Sequence, residues 1–564
     1  MAKILHGINL ESQFTTIKIP LDGDNLSDIT KLLDHIASYH PIFITEYLLS
    51  PAQLTIKSKL LSIWKEAEEY IQKLNNREIT YKEAFDFIND TIIARRVKSM
   101  SSISILEAAQ RRNLEITPTI HGKEVIEGIE KGYVGVFNRY YTLGCGKGSH
   151  ITASIVSSKD SYFAHKIQKD KWSSNLFIER LGLPSLKWEI LESEKDIDKN
   201  FKDYSKPVVI KPTGLTGGKG VTVNINTVEE AKRAFSIAKK VIDSKVRASW
   251  QAKIMMQEQV QGEDYRLLVI NGKLEIATKR VPAFIVGDGK QTIKELIEET
   301  NRDPRRDITN PSHILKPIVI DEPLINLLES KNLTLESIPK KDEQIFVRNI
   351  ASMSQGGTTE DFTDSVGEEI RLIVESIAQS LHIFALGIDI LCKDISKPLT
   401  KENGAILEIN MMPEAYLNLF PTQGKQREYV AEKFIDALLE QNSCKKYVLI
   451  GQSRDDISTI LRKKRVIQEH ESVGEIIGDK YYINRLLINE GVDRENLLDA
   501  IKCNASLDVI ILHYRDWSEV SEHGLGFDHI HTLYITKENS KNREFMQILK
   551  GYKRMRLINK IKII

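Results

Sequence analysis

Apolar and polar positions along this chain follow two different patterns. Short apolar runs bounded by turn residues occur at Pro207–Pro212, Val221–Ile225, Ile254–Glu258, Tyr265–Ile270, Leu274–Ala277, Ala385–Leu391 and Ala405–Ile409. Runs of this length predict strands that are buried on at least one face. Asn271-Gly272 joins two of them and predicts a hairpin turn. Longer stretches predict helices at Ile103–Arg112, Tyr162–Leu181 and Glu368–Leu381. Another is expected over Pro51–Leu74, with Ser50 as its N-cap and Pro51 in its first turn. Residues 281–360, broken by Asp303-Pro304 and Gly356-Gly357, are expected to be rich in loops.

The pattern starts afresh near 445, with a strand at Tyr447–Ile450, a helical stretch and the apolar run Leu507–Leu512. Lys550–Lys562 interleaves basic and apolar residues and predicts an amphipathic terminal element with a solvated face. The expected fold class is α/β, with α+β character. Its expected parts are an N-terminal α/β region at 1–158, a nucleotide-type domain at 159–440 and a small α/β module at 445–564.

Composition narrows the function. A chain of 564 residues has room for about three or four domains. Its net charge of +1 argues against a dedicated nucleic-acid or anionic-membrane surface. Its start lacks the apolar core of a signal peptide, and no apolar run is long enough to span a membrane. Cys145, Cys392, Cys444 and Cys503 have no metal-type spacing and are expected to be reduced thiols in a cytoplasmic protein.

The candidate chemistry lies at the ends of the predicted strands. Gly387-Ile-Asp389 and Leu407-Glu408-Ile-Asn410 place two carboxylates and an amide on neighbouring strands. Asp389, Glu408 and Asn410 together make an all-oxygen set suited to Mg²⁺, the ion that accompanies nucleotide phosphates. Upstream, Lys171 and Lys211 precede a glycine-rich hairpin tip, Thr213 to Gly220, containing Gly214, Gly217, Gly218, Lys219 and Gly220. Glycines there let backbone N–H groups approach phosphate oxygens closely. The loop is not a Walker motif, because a strand rather than a helix follows it. Glu258-Gln-Val260 ends a strand where backbone groups could meet an adenine edge. Asp264 could accept from ribose hydroxyls, and Arg266 shares its strand face. Gly144-Cys-Gly-Lys-Gly148 lacks the helix and hydroxyl of a phosphate loop and is expected to be a plain turn.

The order of these residues resembles the ATP-grasp superfamily of carboxylate–amine ligases from about Lys159 to Leu439. Lys279-Arg-Val-Pro282, Val286-Gly-Asp-Gly289, Asn301-Arg-Asp-Pro-Arg-Arg306, Ser354-Gln-Gly-Gly-Thr358 and Glu408-Ile-Asn410 look like the ATP-grasp domain of cyanophycin synthetases, which elongate an aspartate–arginine polymer. The resemblance implies ATP and Mg²⁺ as cofactors. It implies that Lys171 and Lys211 hold phosphates beneath a lid at Gly214–Gly220. It places Glu258 and Val260 at adenine and Asp264 at ribose, with Asp389, Glu408 and Asn410 as metal ligands. Arg266, Arg280 and Asn349 would face the acyl phosphate or substrate.

Residues 445–564 resemble a decayed and shortened Mur-ligase-like module. Gly451-Gln-Ser-Arg-Asp-Asp-Ile457 lacks a phosphate-binding lysine, and Asp455 and Asp456 would repel phosphate. His513 stands where the family has a metal-type glutamate. The whole is most like the short cyanophycin synthetases, with two departures: residues 1–100 lack the family's Glu-His helix, and Asn410-Met-Met-Pro413-Glu414 lacks its glycine after proline. The expectation is an ADP-forming ligase for amino-acid or small peptide substrates, joining aspartyl/arginine-type units or β-aspartyl-arginine dipeptides. It is expected to form a homo-oligomer through the C-terminal module. The alternatives are a ligase making a different small peptide and a nucleotide-binding scaffold without turnover.

Overall fold

The computed structural model describes residues 2–60, 62–93, 100–119, 140–168, 170–215, 219–244, 252–308, 313–411, 413, 416–439, 444–451, 461–462 and 466–564. The chain is α/β and divides into two compact units. One is Lys159–Val430, and the other combines Met1–Ser158 with Ala431–Ile564. No described helix is long and apolar enough to cross a membrane.

The second of these units begins with an antiparallel sheet of β1 (Lys3–Leu5), β2 (Thr16–Pro20), β3 (Glu46–Ser50) and β4 (Gln53–Lys57), in the order β1-β2-β4-β3. Here the expected helix over Pro51–Leu74 is corrected. Pro51 and Ala52 form the tight turn between β3 and β4, where the Ser50 hydroxyl closes on Gln53 instead of capping a helix. Leu54 and Ile56 are fully buried and flank the polar Thr55, so the apolar side chains share one sheet face at a strand period. The helix starts later, at Ser62–Asn75, and the Trp64 indole N–H donates to the Phe43 carbonyl at 2.8 Å. A second small sheet carries β5 (Ile116–Pro118), β6 (Tyr141–Leu143), β7 (His150–Ala153) and β8 (Val156–Ser157). Gly144 and Gly146 take left-handed φ of +80° and +56° in the turn after β6.

Among the described residues, Lys159–Val430 holds three sheets. The first contains β9 (Trp188–Leu191), β10 (Val208–Pro212), β11 (Thr222–Ile225) and β12 (Ile254–Glu258), in the order β11-β10-β12-β9 and antiparallel throughout. The second contains β13 (Glu263–Ile270) and β14 (Lys273–Val281), joined by the predicted Asn271-Gly272 turn. The third is the hairpin of β15 (Phe284–Val286) and β16 (Gln344–Phe346). The expected loop region 281–360 is therefore more ordered than its breakers suggest. It contains helices Ile293–Asn301 and Glu322–Ser330 over an apolar core that includes Ile285, Leu296 and Ile345. Thr292 and Glu295 form a reciprocal capping box that starts the first of these helices. The second sheet is completed by β17 (Thr358–Asp361), β18 (Ala385–Cys392) and β19 (Gly404–Asn410), in the order β17-β14-β13-β18-β19. The stretch Tyr162–Leu181 forms two helices, Tyr162–Gln168 and Lys171–Arg180. The Asp170 carboxylate accepts from the Ser173 N–H and opens the second.

Ala431–Ile564 adds a seven-stranded sheet to the unit that also contains Met1–Ser158. Its strands are β20 (Lys445–Ile450), β21 (Val473–Ile477), β22 (Lys480–Ile483), β23 (Leu486–Glu490), β24 (Val509–Tyr514), β25 (Ile530–Ile535) and β26 (Ile558–Ile563). The order is β23-β22-β21-β24-β20-β25-β26, parallel from β21 to β26 and antiparallel in the edge hairpin β22–β23. The run that includes Val509–Leu512 is central, with apolar cores on both sheet faces. The Ile8 N–H donates to the Phe527 carbonyl at 2.8 Å. Gly7, at φ +64°, lies so close that a Cβ would meet the Phe527 backbone at 2.3 Å.

One buried ionic cluster ties the early and late parts of this unit together. Glu115 receives Lys446 and Lys502, each at 3.1 Å, and accepts from the Asp528 N–H at 2.8 Å. Burial pushes its carboxyl upward, but the two ammonium groups overcome that and hold it down at about 2. Removing one partner from such a cluster leaves charges buried without compensation. Glu115→Gln is expected to destabilise this unit by about 3 kcal/mol in urea denaturation followed by circular dichroism. Adding Lys446→Met should recover part of that loss, and an unchanged midpoint in the single variant would show the cluster to be energetically idle.

Candidate functional site

Strand register builds the site. In the five-stranded sheet Asp389 on β18 lies directly opposite Arg266 on β13 and Glu408 on β19. Asp264 lies opposite Arg280 on β14, and Gly387 opposite Asn410. Side chains two residues apart on a strand share a face. Asp264, Arg266, Asp389, Glu408 and Asn410 therefore stand on one face, joined by Arg280. The Arg266 guanidinium grips Asp389 with two N–H groups, Nε on Oδ1 and Nη2 on Oδ2, the latter at 3.0 Å. Arg280 Nη2 donates to Asp389 at 3.0 Å and to Asp264 at 2.6 Å.

Burial raises the Asp389 carboxyl, yet Arg266 and Arg280 together hold it below the ordinary aspartate value. Asp264 moves the other way. Burial, aided by the Asp389 charge, pushes it up against the pull of Arg280. Gly387 makes the arrangement sterically possible. A Cβ there would come within 2.8 Å of Pro413 and 3.1 Å of the Arg266 Cδ.

The two lysines converge on the same region. Lys171 is the first residue of its helix and donates to the Leu215 carbonyl at 2.9 Å. Its Nζ lies 3.5 Å from a Glu408 oxygen. Lys211 is buried on β10 and donates to the Gln257 amide oxygen at 2.7 Å. Its pKa falls from the ordinary 10.5 to about 8, first through burial and then through the Lys171 charge, with Glu408 opposing. Gln257 and Asn175 were not singled out by the sequence pattern. Gln257 donates to Asn175 at 3.4 Å, and Asn175 donates to the Lys171 carbonyl at 2.7 Å, so the pair links the elements that carry both lysines. The available signal was a polar residue inside the apolar run of β12.

Other expected residues fall around this centre. Val260 packs with Leu186, Ala405 and Leu391 in a small apolar patch; Leu391 and Ala405 face each other across β18 and β19. The Glu258 carboxylate is buried and accepts from the Ser205 N–H at 3.2 Å. Gly220 has φ +73°, and Lys219 is exposed. Gly214 lies 3.5 Å from Ala252, measured from an added Cβ. Gly217 and Gly218 lie outside the described residues, as do Glu414, Asp455 and Asp456. Asn410 is half-buried, and its side chain has no hydrogen bond among the described residues. Asn349 is exposed on the loop after β16, and no described contact ties it to this cluster. His513 is buried, with Nε2 3.5 Å from Glu475.

Antiparallel sheets presenting two lysines and a carboxylate set beside a glycine-rich hairpin agree with a family match. Residues 169–281 match the family described as phosphoribosylglycinamide synthetase, ATP-grasp (A) domain. Residues 169–281 thus resemble an ATP-grasp domain. The chain is 31% identical over 353 residues to cyanophycin synthetase of Synechocystis sp., covering 62% of this chain and 39% of that protein. It is 27% identical over 444 residues to the glutathione biosynthesis bifunctional protein of Listeria monocytogenes serovar 1/2a, covering 75% of this chain and 53% of that protein. The chain thus spans well under two thirds of the length of these relatives. The structure of a bifunctional glutathione synthetase from Pasteurella multocida is 21% identical with a TM-score of 0.46. It covers 65% of this chain and 47% of that one.

Lys211 provides a test of the electrostatics of this site. A lysine lowered by burial is uncharged in the fold between about pH 8 and 10.5, while the unfolded chain still holds its proton. The unfolded state then binds more protons, so stability rises with pH across that window. Lys211→Met is expected to abolish that part of the rise, read as urea midpoints at about pH 7.5 and pH 9.5. Parallel slopes in the two proteins would mean that Lys211 titrates normally.

Proposed function

We propose that this chain is an ATP-dependent carboxylate–amine ligase that forms an acyl phosphate and releases ADP and phosphate. The convergence of Lys171, Lys211 and Glu408 beside the Asp389 cluster carries the reading. Two ammonium groups close to a carboxylate set suit a polyphosphate neutralised partly by lysine and partly by a divalent cation. The donor set suits Mg²⁺ in being all oxygen: Asp389, which Arg266 and Arg280 also hold, Glu408, and the Asn410 amide, which has no hydrogen bond among the described residues. Bound there, the ion would neutralise phosphate charge.

Lys171 and Lys211 hold the phosphates in this reading, with Gly214–Gly220 closing over them. The patch of Val260 and Leu186 receives the adenine beside Glu258, and Asp264 lies towards the ribose. A substrate carboxylate oxygen attacks the γ-phosphorus, and the bond to the β-phosphate oxygen breaks to release ADP. An amine then attacks the acyl carbon, loses a proton, and phosphate leaves. Arg266 and Arg280 supply positive charge close to where negative charge develops on the phosphoryl and acyl oxygens. Asn349 would have to reach this centre from its exposed loop. Exclusion of water protects the acyl phosphate from hydrolysis.

The substrates we favour are aspartyl/arginine-type amino acids or β-aspartyl-arginine dipeptides, supported by the cyanophycin synthetase relatives. The glutathione-type relatives favour a second reading, in which the same chemistry makes a different small peptide. Residues 445–564 serve packing and assembly in this proposal, so one nucleotide binds per chain. We place the protein in the cytoplasm, in keeping with its unpaired cysteines.

Asp389→Asn and Glu408→Gln are each expected to lower turnover by about 100-fold or more while the fold persists. ADP release measured across candidate amino acids and dipeptides is the assay, and near-normal rates in both variants would sink the assignment. With the correct carboxylate, hydroxylamine should trap a hydroxamate together with ADP. Release of AMP and pyrophosphate would instead show adenylation.

A further inference from the structure

Cysteines take no part in the chemistry proposed above, yet two of them meet. Cys145 belongs to the glycine turn after β6, and Cys444 directly precedes β20. Both are buried, at 5% and 2% exposure, in one apolar cluster. Two backbone bonds seat their neighbours on the same short platform. The Lys147 N–H donates to the Leu507 carbonyl at 2.8 Å, and the Lys445 N–H donates to the adjacent Asp508 carbonyl at 2.9 Å. The Lys147 ammonium also pairs with the Asp508 carboxylate at 3.0 Å. Gly146 lets the two segments close up. Its φ is +56°, and a Cβ there would stand 2.5 Å from the Cys444 Sγ. The Cys444 thiol thus lies against the turn and donates to the Cys145 sulfur.

Their surroundings give the two sulfurs different roles. The bond from Cys444 holds the Cys145 thiol below its ordinary value against burial, helped by the Lys446 and Lys502 charges. Cys444 moves up, through its bond to Cys145 and through burial. The thiolate is the reactive form, so Cys145 is the nucleophile and Cys444 the partner placed to resolve it. The pair also has a particular place along the chain. The unit Lys159–Val430 is inserted in the other unit, which the chain leaves after Ser158 and re-enters at Ala431. Cys145 stands before the departure and Cys444 after the return. A bond between them encloses the whole inserted unit in one covalent loop.

We propose that Cys145 and Cys444 form a peroxide-sensitive pair that closes to a disulfide and staples the root of the inserted unit. The Cys145 thiolate attacks one oxygen of hydrogen peroxide, the O–O bond breaks, and the departing hydroxide takes up the proton that Cys145 gave away. Cys145 is then a sulfenic acid. The Cys444 sulfur loses its proton and attacks the Cys145 sulfur, the S–O bond breaks, and a second water leaves. Two thiols have given two electrons to one peroxide. Burial shuts out bulky oxidants such as glutathione disulfide and selects a small neutral one. At rest both thiols are free, as suits a reducing compartment. The closed loop removes conformational freedom from the unfolded chain, so the oxidised protein resists unfolding more than the reduced one.

Peptide mapping of the full chain tests this. The reduced protein is treated with a small excess of hydrogen peroxide near neutral pH, unfolded in an alkylating agent and digested with trypsin without reductant. Peptides 140–147 and 434–445 should appear joined, with two of the four thiols lost. Oxidation should raise the urea midpoint, and dithiothreitol should return it to the starting value. Cys145→Ser should abolish both the link and the rise. Cys444→Ser keeps the reactive thiol, so dimedone should trap a sulfenic acid at Cys145 in that variant. The wild-type map alone decides the matter where a serine variant folds poorly. Four intact thiols after a dose that oxidises the exposed Met555 overturn the proposal. So does a link from Cys145 to Cys503, or a Cys145–Cys444 link whose reduction leaves the urea midpoint unchanged. These readouts need no nucleotide or substrate, so they stand or fall apart from the ligase reading.

Discussion

The register of three neighbouring strands is the constraint on which the candidate site depends. Asp389 on β18 meets Arg266 on β13 and Glu408 on β19 only because all three strands are paired as they are. A slip of one residue would turn every one of these side chains to the other face and put Ile388 or Ile390 among the guanidinium groups. The apolar residues fix the register. Leu267, Ile388, Ile390 and Ile409 are buried on the opposite face, so a slip would expose them in exchange for burying charge. The apolar pattern therefore specifies the polar site, although it takes no part in its chemistry. Gly387 adds the steric half of the argument, because the Arg266 side chain lies across the place a Cβ would fill.

Most of this organisation was legible in the sequence where one force dominated. The strands β10, β12, β13, β18 and β19 announce themselves as apolar runs ended by turns, and Lys211, Glu258, Asp264, Arg266, Asp389, Glu408 and Asn410 are located with them. The chain from Pro51 to Leu74 was misread because a proline after a serine satisfies a helix start and a hairpin turn equally well. The contest is decided by β4, whose alternating Leu54 and Ile56 find a sheet face to cover. Local sequence cannot show that face. The same holds for Gln257, whose role depends on a helix 82 residues away. It holds again for the cluster around Glu115, which pairs with lysines far along the chain. Long-range pairings of this kind leave no periodic trace.

Buried lysines in the two units show how charge compensation separates structure from readiness to bind. Lys446, Lys502 and Lys211 are all buried, and burial alone would lower each. In Lys446 and Lys502 burial is the largest influence, but Glu115 together with Asp528 and further negative groups outweighs it, and both pKa values rise. The charge is fully answered inside the protein, and nothing further is needed from outside. Lys211 has a neutral amide for its hydrogen-bond partner and a second ammonium nearby, so its pKa falls. The fold carries that positive charge at a cost, and an anion placed there would relieve it. Two lysines of equal burial thus differ in the sign of their shift, and the sign follows from whether the protein supplies the counter-charge. By that physical criterion the unanswered charge of Lys211 marks a place suited to an incoming anion, and the answered charges around Glu115 mark a structural joint.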